Sequence, residues 1–171
     1  MVFSSILFLF RFMPAAFAIY YLVPKRFKNF TLLVLSLIFY SWGEAKYFPV
    51  MIASIVVDYT ASGLIESHRN NKLICRLELI YSVVFNLGML GFFKYTNFFV
   101  GNLNALFGLS LPTISFVLPL GISFYTFQTM SYTIDVYLGK VKAERNIIDF
   151  GAFVVLFPQL IAGPIVRYTD I

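Results

Sequence analysis

Long runs of apolar residues alternate with short polar stretches along this chain, and charged residues are concentrated between the runs. A helix of about 20 predominantly apolar residues is long enough to cross the hydrocarbon core of a bilayer, and a slightly shorter run can be extended by its flanking residues. We therefore predict six membrane-spanning helices, at residues 2–23, 29–43, 47–65, 77–93, 113–138 and 147–166.

Helix-breaking residues interrupt the second half of the chain. Pro119 and Gly121 fall within the fifth predicted span, and the stretch FPQLIAGPIVRY at 157–168 forms the end of the sixth. The carbonyls that such breaks free from a helix are tolerated in a membrane only against protein or water. Glycine and asparagine residues at 101–108 predict a short interfacial or re-entrant piece before the fifth span. The fold class is thus predicted to be all-α, a polytopic transmembrane bundle with kinked or re-entrant elements.

The composition supports the same fold class. The 171 residues are 60% hydrophobic and 12% charged, and the mean hydropathy is +0.83. Soluble domains have about 45–50% apolar and about 25% charged residues, so this chain lacks the polar surface to coat a water-soluble globule. The net charge of +5 does not indicate a nucleic-acid partner, because the basic residues lie at the ends of apolar runs. One cysteine and one histidine exclude an internal disulfide and predict no metal site.

Nine of the 13 basic residues fall into three loops, which follow the first, third and fifth predicted spans. They are Lys25, Arg26, Lys28, Arg69, Lys72, Arg76, Lys140, Lys142 and Arg145. Because successive spans cross the membrane in opposite directions, loops that follow the first, third and fifth spans all lie on the same side. Because the basic side of a membrane protein faces the cytoplasm, we expect an extracytoplasmic N-terminus.

Two charges lie inside predicted spans, Arg11 in the first and Asp58 in the third. A charge at the bilayer centre is costly and requires a partner or a water-filled cavity. Since the two residues reach similar depths, we predict that they form an intramembrane ion pair. The alternative is that both lie nearer the interface and extend their charged groups into it.

Two neutral amides, Gln128 and Gln159, also lie within predicted spans. An interhelical hydrogen bond is the default explanation for such a residue, and lining a substrate passage is the alternative. The only histidine, His68, lies in a polar loop. The sequence contains no nucleophile triad, no metal-ligand spacing and no phosphate-binding glycine motif. The motifs therefore identify no catalytic residue.

Three stretches carry a resemblance to a known family. They are residues 3–47, the sequence NLGMLGFFKYTNFF at 86–99, and residues 118–168. The third contains GISFYTFQ, a DVY-x-GK turn and FPQLIAGPI in the order that the family shows. In these stretches the chain resembles the membrane-bound O-acyltransferases, in the branch of alginate O-acetyltransferases.

The resemblance implies an enzyme of the bacterial cytoplasmic membrane. Such an enzyme passes an acetyl group from a cytoplasmic donor, acetyl-CoA, to hydroxyls of an exported polysaccharide, together with extracytoplasmic partner proteins. No bound cofactor is expected. Residues 1–171 would form the N-terminal part of a single transmembrane domain, and the family's hallmark histidine would follow further along, so His68 does not take that role. Near the donor entrance, Gln128, Gln159 and Arg167 become candidates for the acyl-donor passage.

Several alternatives stay open. Arg167 either meets a phosphate of the donor or simply follows the positive-inside rule. The same family includes D-alanyl transferases and peptidoglycan O-acyltransferases, which the sequence does not separate cleanly. A non-catalytic membrane scaffold or a secondary transporter is the alternative from another class, although transporters usually show repeated halves and this chain shows no internal repeat.

Overall fold

The computed structural model describes residues 6, 8–108, 121–156, 159 and 168, and within them the chain is helical, with no strand. The all-α prediction is confirmed for this part of the chain. A π-helical turn at Phe8–Phe12 precedes the first α-helix, and short 3₁₀ turns at Lys25–Phe27 and Ala45–Tyr47 flank the second. The helices are α1 (Met13–Leu22), α2 (Lys28–Glu44), α3 (Phe48–Ser67), α4 (Lys72–Phe107), α5 (Ile122–Tyr137) and α6 (Ile147–Val155).

Local sequence explains several of the helix boundaries. Proline occupies an early position in α1 and α3, where its missing N–H would have had no intrahelical acceptor. Asparagine caps two others: Asn71 Oδ1 accepts from the Leu73 backbone N–H at 3.2 Å, and Asn146 Oδ1 accepts from that of Ile148 at 3.0 Å. These side chains satisfy donors at helix starts that have no partner within the helix.

Helix α3 lies at the centre of the bundle. It packs against α4 and α5, which also contact each other, while α2 packs against α6. Tyr40, Met51, Ile55, Tyr125 and Phe150 are among the buried residues of the main apolar core. The third predicted span thus forms the helix around which the others assemble.

The prediction of a break at residues 101–108 is wrong for most of that segment. Helix α4 runs without interruption for 36 residues and ends only at Gly108, which adopts a left-handed conformation with φ 63°. A glycine inside a helix costs only about 1 kcal/mol relative to alanine, so Gly101 does not stop a long apolar helix. At 1.5 Å per residue α4 is about 54 Å long.

Most of the polar segment at 66–76 is helical, so the connection between α3 and α4 is short. Glu66 and Ser67 belong to α3, and α4 begins at Lys72, so only a tight turn separates the two helices. The asparagine cap at Asn71 explains the early start of α4, because it supplies the acceptor that the first turn needs.

Two helical segments are long and apolar enough to cross a membrane, Ala45–Ser67 and Lys72–Phe107. They support a membrane protein, but they do not establish six spans. Helices α2 and α5 have 17 and 16 residues. Gly121, with φ 71°, immediately precedes α5, and α6 ends at Val155. The predicted breaks at Pro119, at Pro158 and at 162–164, as well as Arg167, lie outside the described residues.

The three basic loops lie at one end of the bundle. Asn29 Nδ2, beside the first loop, donates to Asp149 Oδ1 at 2.9 Å, just after the third. Arg69 Nη2 in the second loop donates to the Val136 carbonyl at 3.0 Å, just before the third. These contacts produce the one-sided arrangement that the loop charges predict, without showing which compartment it faces.

Candidate functional site

The carboxylate of Asp58 is buried where three helices meet. Asp58 lies on α3 with no exposed surface, and its oxygens accept hydrogen bonds from side chains of α4 and α5. The Asn86 amide donates to Oδ2 at 2.8 Å and to Oδ1 at 3.0 Å. The hydroxyls of Ser82 and Thr133 donate to Oδ1, the latter at 3.3 Å. A single carboxylate therefore connects α3, α4 and α5.

Two of the three donors lie one turn apart on α4. Ser82 and Asn86 are four residues apart on α4, and residues at this spacing lie on the same helix face. Asn86 also donates to the Ser82 carbonyl at 3.0 Å, which fixes its amide toward Asp58. These residues were not predicted from the sequence. The i, i+4 spacing of Ser82 and Asn86 was the available signal, but only the packed structure shows that their shared helix face is turned toward Asp58.

This arrangement suits a structural role better than a catalytic one. Three neutral side chains donate to the carboxylate, and the whole cluster is buried, with Ser82, Asn86 and Thr133 also fully inaccessible. A general base must reach the proton that it abstracts, and no described cavity reaches Asp58. The Oδ1 atom of Asn86 has no hydrogen-bond partner among the described residues. We assign the cluster to holding the three helices together.

The structure does not bring Arg11 to Asp58. Arg11 lies exposed in the π-helical turn at Phe8–Phe12. Among the described residues the only ion pair joins Lys140 Nζ to Asp135 Oδ1 at 3.5 Å. Neutral side chains donate to Asp58 instead, so that no second charge has to be desolvated.

The candidate passage residues have different environments. Gln128 is buried on α5, and its Nε2 donates to the Phe153 carbonyl of α6 at 3.0 Å. This contact is an interhelical hydrogen bond, the default explanation for an intramembrane glutamine. Gln159 is 9% exposed, and its Nε2 has no acceptor among the described residues. A role for either in a passage stays a prediction, as does that of Arg167.

Hydrogen bonds fix the loop between α5 and α6. The Ala143 N–H donates to the Glu66 carboxylate, the Tyr59 hydroxyl donates to the Arg145 carbonyl at 2.6 Å, and the Glu144 N–H donates to the Tyr132 hydroxyl at 2.7 Å. We call residues 139–146 the clasp loop. It is therefore held against both α3 and α5.

The Glu144 carboxylate connects the clasp loop to Tyr168. It accepts from the backbone N–H groups of Arg145 and Asn146 at 2.9 and 3.1 Å, and from the Tyr168 hydroxyl at 2.5 Å. Burial raises the pKa of Tyr168 above its ordinary value, and the adjacent Glu144 charge raises it further. Tyr168 therefore stays protonated at neutral pH and can serve as the donor.

A cleft of about 760 Å³ opens between α3 and the clasp loop. Its lining combines apolar and charged side chains, and consists of Tyr59, Thr60, Gly63, Leu64, Glu66, Ser67, Ala143, Glu144 and Arg145. The volume lies within the range of about 300–1,000 Å³ that is common for ligand sites. This cleft was not predictable from the sequence, because its two walls are about 80 residues apart along the chain.

His68 does not lie in a catalytic environment. Its Nδ1 is 3.2 Å from the Ser67 hydroxyl and 3.1 Å from the Leu64 carbonyl, at an exposed helix end. Within the described part of the chain, no group of three His, Cys, Asp or Glu residues is placed to hold a metal ion. The described residues thus contain a helical scaffold and a cleft, but no evident catalytic centre.

Comparison with curated proteins identifies the relatives of this chain. A protein named "Probable alginate O-acetylase AlgI" from Azotobacter vinelandii is 43% identical over 175 residues, covering 100% of this chain and 35% of that protein. The protein of the same name from Pseudomonas aeruginosa is 42% identical, again over 100% of this chain and 34% of its own length. The chain belongs to the same family as these O-acetylases. The resemblance to the membrane-bound O-acyltransferases is thereby confirmed.

A second branch of this acetyltransferase family also matches. A peptidoglycan O-acetyltransferase from Helicobacter pylori is 34% identical over 199 residues, covering 99% of the chain and 38% of that protein. The chain thus spans about a third of the length of the curated relatives that it matches. No family model matches the chain, and no solved structure matches it.

Proposed function

We propose that the protein containing this chain is a membrane-bound O-acetyltransferase. It transfers an acetyl group from cytoplasmic acetyl-CoA to hydroxyls of an exported, alginate-like polysaccharide. The observation that supports this proposal most strongly is the match of the entire chain, at 43% identity, to a protein named as an alginate O-acetylase. The two apolar helices that can cross a membrane agree with it.

In this proposal, residues 1–171 contain six membrane spans and supply the N-terminal part of a single, larger membrane domain, with an extracytoplasmic N-terminus. A sugar hydroxyl is a poor nucleophile at neutral pH and needs a positioned base, and His68 is unsuited to that role. The base therefore comes from a part of the protein that this chain does not include. The domain resides in the bacterial cytoplasmic membrane and works with extracytoplasmic partner proteins.

The acyl passage lies beside the ends of α5 and α6. Gln159 supports this placement, because its buried Nε2 lacks an acceptor among the described residues, and buried polar groups are normally hydrogen-bonded. Gln128 and Arg167 are the other candidate residues of the passage. A polar group in the passage, such as the donor thioester carbonyl, would supply the acceptor for Gln159.

Gene deletion and complementation test the proposal. We expect loss of the complete gene to abolish polysaccharide-bound acetyl groups, and the complete protein to restore them. Residues 1–171 expressed alone should transfer no label from radioactive acetyl-CoA, because they include no evident base. Normal polysaccharide acetylation in the deletion strain would contradict the proposal.

A second candidate is O-acetyl transfer to peptidoglycan, which the Helicobacter pylori relative favours. The two candidates share their chemistry and differ only in the acceptor glycan. Acetyl groups on purified peptidoglycan, measured in the same deletion strain, separate them. Their loss without any change in the exported polysaccharide would support the second candidate.

A further inference from the structure

The cleft between α3 and the clasp loop continues into an exposed face of α3. Val56, Thr60, Gly63, Leu64 and Ser67 are exposed residues of α3, and their spacing places them on one face. The Thr60 hydroxyl donates to carbonyls of its own helix, at Val56 and Val57. The face is therefore effectively apolar, and it forms part of a helix long enough to cross the membrane.

Residues of opposite charge line the cleft beside this face. Glu66 contributes a carboxylate that accepts one backbone N–H through Oε2. Arg145 contributes an exposed guanidinium, for which the described residues show no ion pair. The lining of the cleft thus offers a carboxylate acceptor and a guanidinium donor, next to an apolar helix face.

The walls of the cleft are held in place before any ligand binds. The Tyr59 hydroxyl and the Glu66 carboxylate attach the clasp loop to α3, and Glu144 attaches the loop to Tyr132 and Tyr168. Gly63 lies in the wall, and a Cβ added to it would have no atom within 4 Å, so this glycine leaves a groove on the helix surface. Preorganisation of this kind lowers the cost of ordering a site on binding.

We propose that this cleft binds a phospholipid with an amino headgroup, such as phosphatidylethanolamine. The headgroup ammonium donates to Glu66, and its phosphate accepts from Arg145. One acyl chain follows the apolar face past Leu64, Gly63 and Thr60 toward the membrane interior. Charge complementarity favours this occupant, because a purely anionic headgroup would leave the Glu66 carboxylate without a cationic partner and a choline headgroup has no N–H to donate. The inference does not depend on the acetyltransferase function.

Lipid retention by the purified protein tests the proposal. The protein is solubilised in detergent, mixed with equimolar dioleoyl phosphatidylethanolamine, phosphatidylcholine and phosphatidylglycerol, and repurified, and the retained lipids are quantified by mass spectrometry. We expect selective retention of phosphatidylethanolamine. Gly63→Leu should remove it by filling the groove. Arg145→Gln should weaken retention about tenfold, as expected from losing one hydrogen bond to a charged group.

Matched controls separate the site from general effects. Gly88 is likewise exposed in a helix with no atom within 4 Å of an added Cβ, but it lies on α4. Lys142 is an exposed cation of the same loop that does not line the cleft. Gly88→Leu and Lys142→Gln should retain the lipid as the unmodified protein does. Equal retention of all three lipids, or unchanged retention after Arg145→Gln, would overturn the proposal even if Gly63→Leu failed to fold.

Discussion

At the residue scale, Asp58 shows how a buried charge is accommodated in this bundle. The sequence indicates that a carboxylate at this depth needs a partner. The structure supplies three neutral side chains, from Ser82, Asn86 and Thr133. Neutral donors stabilise the carboxylate without burying a second charge, whose desolvation would offset much of the attraction. Asp58 thereby connects helices that are distant in sequence.

Replacing Asp58 tests this role. We expect Asp58→Ala to lower the free energy of unfolding by about 3 kcal/mol, because several buried donors lose their acceptor, and Thr133→Val to lower it by about 1 kcal/mol. Denaturant titration in detergent micelles measures both. Thr60→Val is the control, since that hydroxyl is exposed and bonds only to its own helix. An Asp58→Ala effect no larger than that of Thr133→Val would contradict the assignment.

At the element scale, α4 shows that glycine and asparagine do not by themselves end a helix. Gly101 is helical, whereas Gly108 adopts φ 63° and follows the last helical residue. The two glycines cannot be distinguished by residue type. The difference arises because only Gly108 occupies a left-handed position, which an L-residue with a side chain adopts at a cost of about 1–2 kcal/mol.

This difference makes the two glycines a matched pair. Gly101→Ala should raise the free energy of unfolding by about 0.5–1 kcal/mol, since alanine favours the helix interior, and neither site has an atom within 4 Å of an added Cβ. Gly108→Ala should lower it by about 1 kcal/mol. The same micelle titration measures both changes. If Gly101→Ala destabilised the protein, an uninterrupted α4 would be refuted.

At the scale of the whole molecule, the helices run so that the three basic loops lie at one end of the bundle. Contacts from Asn29 and Arg69 to the segments around the clasp loop establish this arrangement. The membrane then favours the orientation in which that end faces the cytoplasm. Lys46 follows α2, outside those three loops, and is predicted to lie on the other side.

Thiol labelling tests the orientation. In a Cys75→Ala background, His68→Cys and Lys142→Cys should react with a membrane-impermeant maleimide only after the cytoplasmic membrane is permeabilised. Lys46→Cys should react in intact cells. The native Cys75 is buried, so its replacement removes little background. Labelling of the His68→Cys variant from outside would reverse the proposed orientation, while labelling of the other two positions on one common side would contradict the span count.

The sequence by itself determined the helical class, the membrane character, the family and the grouping of the basic loops. These properties follow from composition, run length and charge position, which do not depend on how the helices pack. Only the tertiary structure decided the partners of Asp58, the interhelical bond of Gln128 and the cleft beside the clasp loop. Each of these depends on which helix faces meet, and residues on different helices are brought together by packing rather than by their separation along the chain.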